Sequence, residues 1–175
     1  MPPDNITPAT FRRALGQFAA GVAIITAKGP DGAAIGLTMS SFNSVSLNPP
    51  LILFSIDCKA FSLPAMRAAK GYAVNILSRG QEPLSNRFAK SLSDKWSAVE
   101  HTLGHCEAPL LANALAHFEC VPYAVYDGGD HEIFVGRVVR FSADPSGEPL
   151  VFFRGAYRSL ETAERTPEWP LPMHY

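Results

Sequence analysis

Two long β-rich runs, Phe118 to Tyr126 and Glu132 to Phe141, are separated only by Asp127-Gly128-Gly129-Asp130-His131. A connection that short and that rich in glycine joins neighbouring strands antiparallel, because a parallel pair needs a crossover of about a dozen residues or more. The rest of the chain reads the same way. Val22 to Ala27 is β-branched and apolar, Pro30-Asp31-Gly32 supplies a turn, and Ala34 to Thr38 returns as a second hairpin. After the polar stretch Met39 to Ser46, Asn48-Pro49-Pro50 precedes Leu51 to Ile56, which is apolar on both faces and so reads as a buried strand. Tyr72 to Leu77 adds a further strand, and Pro149 to Phe153 another after the turn Asp144-Pro145-Ser146-Gly147.

Helical signals are few and short. Thr10 offers an N-cap, and Phe11, Leu15 and Phe18 recur at helical spacing, which predicts an amphipathic helix ending near Gly21. Ser62-Leu63-Pro64 predicts a second start, with the helix running through Ala69 and Gly71 ending it in the left-handed conformation. Glu82 to Ala89 predicts a third, followed by the polar Lys90 to Ser97, read as a loop over a site rather than a packed element. Strands and helices never alternate as β–crossover units, so a mainly β fold follows, a closed antiparallel Greek-key-like barrel with a few short helices. The chain divides into one domain over 1–160 and a proline-rich tail over 161–175. Three prolines and Trp169 from Thr166 to Tyr175 read as an extended segment on the surface or on a partner subunit.

Composition excludes several classes. At 47% hydrophobic and 18% charged over 175 residues, the chain has the material for one packed core. Fifteen Lys and Arg against sixteen Asp and Glu leave a net charge of −1, so there is no electrostatic footprint for nucleic acid or an anionic membrane. The longest apolar runs fall far short of the ~20 residues of a spanning helix. Met1 to Thr10 carries prolines, an aspartate and no basic residue, unlike a secretory signal. The expected compartment is the cytoplasm. Cys58, Cys106 and Cys120 are too scattered for a disulfide framework, and His101, His105 and Cys106 lack the second ligand pair of a closed zinc site, so no metal is expected. Neither GxxxxGK[ST], GxGxxG nor GxSxG occurs, which removes the phosphate-loop, Rossmann and nucleophile-elbow mechanisms.

Three stretches hold chemistry. Gly36 to Pro50 leaves a strand through a run of hydroxyl residues, Thr38, Ser40, Ser41, Ser44 and Ser46, whose short donors and exposed backbone N–H groups suit a flat polar ligand, or simply bond one another in a serine-rich turn. Ser55 to Ser62 closes the buried strand and enters a helix, where a serine, Lys59 and free N–H groups suit a phosphate, or Ser62 only caps while Lys59 sits in solvent. His131 stands at the mouth of the long hairpin, either a donor to a carboxamide or an idle surface histidine.

Taken in order, these fragments resemble the short-chain flavin reductase family, the small NAD(P)H:flavin oxidoreductases that feed reduced flavin to two-component monooxygenases. The resemblance is carried by Phe18-Ala19-Ala20-Gly21-Val22, by Gly36 to Pro50 with Asn48 where aspartate is common, and by Tyr72 to Ser78. It continues through Arg87-Phe88-Ala89, Asp94-Lys95-Trp96, the Gly129-Asp130-His131 motif with Val135-Gly136-Arg137-Val138 behind it, and Pro149 to Arg158. It implies a homodimer of split β-barrels with FMN or FAD at the subunit interface and NADH or NADPH as hydride donor. Thr38, Met39, Ser40 and Ser41 would then border the isoalloxazine, with N–H groups toward N1 and the C2 carbonyl. Ser55, Asp57, Lys59 and Ser62, the last where threonine is common, would follow the ribityl and phosphate. Asn75, Phe88 and Lys95 would complete the pocket, Tyr157 would close it, and His131 would meet the nicotinamide. Two other readings stay open: a pyridoxamine-phosphate-oxidase-like enzyme, and a non-enzymatic flavin- or haem-binding barrel.

Overall fold

The computed structural model describes residues 6–91 and 94–160, so the expected tail over 161–175 lies outside the described residues. The strands are β1 (Ala20–Gly21), β2 (Ala23–Lys28), β3 (Ala34–Met39), β4 (Asn43–Leu47), β5 (Pro50–Asp57), β6 (Tyr72–Ile76), β7 (His101–Leu103), β8 (Pro109–Leu111), β9 (Ala116–Asp127), β10 (His131–Ala143), β11 (Val151–Phe153) and β12 (Ala156–Arg158). The helices are α1 (Pro8–Leu15), α2 (Leu63–Ala68) and α3 (Glu82–Phe88). The mainly β expectation holds.

Seven strands form one antiparallel sheet in the order β3-β2-β6-β9-β10-β5-β4. Its two edges, β3 and β4, are consecutive in the chain and separated only by residues 40–42. Four Cα steps of ~3.3–3.6 Å hold the facing strand ends within about 14 Å, whereas a flat seven-stranded sheet with ~4.8 Å spacing would hold its edges about 29 Å apart. The sheet is therefore rolled. Closure differs from an uninterrupted ladder: the pairing ends at Met39 with Ala23 on one side and resumes at Asn43 with Leu53 on the other, and the chain itself completes the ring.

Inside the roll, Ile25, Ile35, Ile52, Val74 and the helix residues Leu63 and Met66 pack around Phe54, Phe134 and Tyr72. The two phenylalanine rings stack at 5.4 Å and both meet Tyr72 edge-on. Each such buried side chain is worth about 1.5–3 kcal/mol. The opposite face of β2 carries a second core, Val22, Ile24, Leu77, Phe88, Leu111 and Leu150, covered by α3.

Local differences from expectation have physical causes. α1 is capped by Thr7, not Thr10; the two threonines exchange bonds in a capping box, the helix stops at Gly16, and Phe18 lies beyond it. Met39 to Ser46 is not simply a polar linker, because β4 pairs with β5 over its second half. Gly71 does not supply a left-handed cap; α2 ends with Ala69 extended, and Gly71 is needed because a Cβ there would lie 2.7 Å from Cys106 Cβ and 2.8 Å from the Cys120 carbonyl. The loop after α3 packs more than its polarity implies, with the Trp96 ring edge-on to Phe88 at 4.9 Å.

Candidate functional site

The seam where β3 hands over to β4 is held by one hydroxyl. Ser41 Oγ accepts from the Ser55 N–H at 3.0 Å and donates to the Ser55 carbonyl at 3.3 Å, the two bonds a strand partner would make with its own main chain. Its side chain thus substitutes for a ladder pair. The N–H groups of Ser40, Ser41 and Phe42 find no acceptor among the described residues, and the Met39 sulfur lies 3.6 Å from Ser41 Oγ. Ser40 and Ser41 are exposed, Met39 half-buried.

Following β5 away from the seam, Asp57 stands directly opposite His131 on β10, and Ser55 opposite Ile133. Paired residues share a face, so Ser55, Asp57 and His131 line one surface of the roll. Asp57 Oδ1 accepts from the Lys59 N–H at 2.7 Å, turning the chain toward α2. The Cys58 N–H donates to the Asp130 carbonyl at 2.9 Å and ties that turn to the hairpin. Ser62 does not cap α2: its backbone is helical, and its side chain makes no capping bond. His131 Nδ1 lies 2.7 Å from Asp130 Oδ1. That hydrogen bond, then the charges of His131 and Lys59, hold the exposed Asp130 carboxyl below the usual carboxylate range.

The remaining expected residues stand behind this surface. Thr38 is in register with Ile24, and Ile24 with Asn75, which puts all three on the face of the second core. Thr38 Oγ1 donates to the Ser85 carbonyl at 2.7 Å. Asn75 is 0% exposed; its amide donates to Ile24 O and Thr26 Oγ1, and its carbonyl accepts from the Leu111 N–H. Phe88 is 1% exposed and lies over Gly36, where a Cβ would come within 2.3 Å of its ring. Lys95 Nζ donates to the carbonyls of Gly36 and Phe88, and burial lowers its pKa. Tyr157 is half-buried with its hydroxyl 2.8 Å from Ser85 Oγ, which links it through α3 to Thr38. The structure thus joins Ser55, Asp57 and His131 on one face of the ladder, with Ser41 bonded to the Ser55 main chain and Lys59 following in the turn after Asp57, while Met39 packs against the inner core. Asn75, Phe88 and Lys95 spend their contacts inside the wall.

Residue typing alone did not single out Ser85, which carries both Thr38 and Tyr157, or Asp130, whose place beside His131 in the motif was the available signal. An open cavity of about 460 Å³ is lined by Cys58, Arg67, Val125, Tyr126, Asp127 and Glu132. There Arg67 makes a two-bond ion pair with Glu132, its Nε 2.8 Å from Oε2.

A family model described as the flavin reductase like domain matches residues 15–161. A flavin reductase of Pseudomonas putida is 38% identical over 152 residues, covering 87% of this chain and 89% of its own. The flavin-dependent monooxygenase reductase subunit HsaB of Rhodococcus jostii is 37% identical over 94% of this chain and 84% of its own. Among solved structures, the Streptomyces globisporus NADH:FAD oxidoreductase SgcE6, in complex with NAD and FAD fragments, superposes with a TM-score of 0.85 at 36% identity over 90% of this chain and 94% of that one. A longer Sinorhizobium meliloti chain has the same TM-score of 0.85 at 37% identity over 88% of this chain, which spans 54% of it. With a seam of open amides at one end of a rolled sheet, the domain match over 15–161 and relatives above 30% identity along nearly its whole length, the chain belongs to the flavin reductase family.

Proposed function

We propose that this protein is an NAD(P)H-dependent flavin reductase acting as a homodimer, binding FMN or FAD along the seam and supplying the reduced flavin to an oxygenase component in the cytoplasm. One observation carries the reading: the Ser41 hydroxyl takes over the pairing with Ser55, while the consecutive N–H groups of Ser40, Ser41 and Phe42 have no acceptor among the described residues. Such a row fits the carbonyl- and nitrogen-rich edge of a flavin ring, and Ser55, Asp57, Lys59 and Ser62 continue from it with the polar groups a ribityl phosphate needs.

When bound, the flavin supplies the hydride acceptor for the reduced nicotinamide. The chain's own work is placement and charge. Amide donors fixed by the strand geometry at the seam need no reorganisation when negative charge grows on the ring edge they face. His131 orients the nicotinamide dinucleotide through its carboxamide or diphosphate. No nucleophile is called for. Dimerisation is supported by apolar side chains left exposed, Phe11 and Leu15 on α1, Phe18 beyond it, and Leu47 and Phe141 at the sheet end. The oxygenase partner is supported by the relatives that are themselves reductase subunits. Among the described residues no helix is long and apolar enough to cross a membrane.

The test is stopped-flow reduction of FMN and of FAD with each nicotinamide. His131→Ala raises the nicotinamide KM or slows flavin reduction while flavin affinity holds; unchanged reduction removes His131 from this role. Absence of NADH oxidation with either flavin would return the chain to a non-enzymatic flavin- or haem-binding protein.

A further inference from the structure

We propose that Asp130 is a positioning residue for this reaction: its carboxylate fixes His131 as the Nδ1–H tautomer and leaves Nε2 as the ring atom presented to the nicotinamide dinucleotide. The inference rests on the reading of His131 given above. An ionised carboxylate only accepts hydrogen bonds, so the 2.7 Å contact between Asp130 Oδ1 and His131 Nδ1 places the proton on Nδ1. Nε2 has no partner among the described residues.

The carboxylate is itself held by a rigid turn. The Asp130 carbonyl accepts from the Cys58 N–H at 2.9 Å, the Gly128 N–H donates to the His131 carbonyl at 2.9 Å, and the Gly129 N–H donates to Asp127 Oδ1 at 2.9 Å. Gly129 has φ +82°, a conformation glycine adopts at no steric cost. Three hydrogen bonds from two elements thus fix the backbone that carries both partners, and an adjacent acid and imidazole become a defined pair.

The charges around the ring agree with that assignment. Asp57 on β5 faces His131 across the ladder, and Lys59 approaches Asp130 from the turn beyond. Tyr126 on β9 pairs with Ile133 on the same face, while Glu132 points to the other face and is engaged by Arg67. Asp127 is occupied by Gly129. Among the described residues Asp130 is the one carboxylate bonded to the imidazole, and a fixed tautomer determines whether the free nitrogen accepts or donates toward a ligand.

The experiment reads the His131 tautomer by 15N–13C correlation spectra of the full-length protein above neutral pH, with steady-state kinetics on the same samples. Wild type shows the Nδ1–H form. Asp130→Ala moves the ring toward the Nε2–H form and raises the NADH KM roughly tenfold, with kcat and flavin Kd within about threefold. If that variant does not fold, Asp130→Asn, isosteric but uncharged, is judged by the same two readouts. An Nε2–H ring in wild type, an unmoved tautomer in the variant, or a moved tautomer with an unchanged KM each overturns the proposal. A wild type that reduces neither flavin overturns the functional reading and this inference together, whereas an active reductase with the Nε2–H ring overturns this inference alone.

Discussion

Ser41 makes with one hydroxyl the two bonds that a ladder residue makes with its main chain, and so decides which amides a ligand can reach. Ser41→Ala therefore has two effects. Stability falls by about 1 kcal/mol, the net worth of a hydrogen bond, and flavin Kd rises roughly tenfold as the seam loosens; urea titration and calorimetry measure both. Ser41→Thr keeps the hydroxyl and stays near wild type, and an affinity indifferent to the hydroxyl would remove the seam from the binding account. Asn75 behaves in the opposite way. Asn75→Ala strands the buried Leu111 N–H and costs about 2–4 kcal/mol by urea unfolding, with flavin affinity in the folded fraction unchanged. The contrast shows how far the site was legible. A polar residue in an apolar run reads the same whether it faces a ligand or bolts three strands together, and register decides which: Asn75, Ile24 and Thr38 share the face under α3.

Among the elements, those defined by turns or by continuous apolar runs were legible, as the β9–β10 hairpin and β5 show. β4 was not, because Asn43, Ser44 and Ser46 carry no apolar alternation and the strand exists through its pairing with β5. α1 was displaced by three residues at its start, since Thr7 and Thr10 are equivalent cap candidates until Pro8 is seen to occupy the first turn. That helix buries none of its own residues in its own chain, with Phe11 at 55% and Leu15 at 57% exposure. Among the described residues nothing covers its apolar stripe, which we assign to the proposed homodimer interface. If α1 forms the proposed homodimer interface, replacing Phe11 and Leu15 together by aspartate leaves a monomer in sedimentation velocity, with its urea midpoint within experimental scatter of wild type. A dimer that survives the double substitution would place the interface elsewhere.

Over the whole molecule, the rolled sheet encloses groups that resist titration. Burial, helped by Glu119, pushes the Cys120 thiol from 9.0 up to about 12, and burial, helped by Cys120, pushes Tyr72 from 10.0 up to about 12. The native state keeps these protons while the unfolded chain releases them, so their contribution is complete below pH 9 and lost as pH rises toward about 12. The urea midpoint accordingly starts to fall near pH 9, and Cys120→Ala delays that onset to near pH 10, where Tyr72 begins to act. The same roll brings the ends of β3 and β4 together and creates the row of amides on which the functional account depends. Residue-resolved amide hydrogen exchange, with and without saturating FMN, tests that dependence most directly. Exchange at Ser40, Ser41 and Phe42 slows at least about tenfold on flavin addition. Unchanged exchange there, with protection appearing instead around Cys58, Arg67 and Asp127, would contradict it.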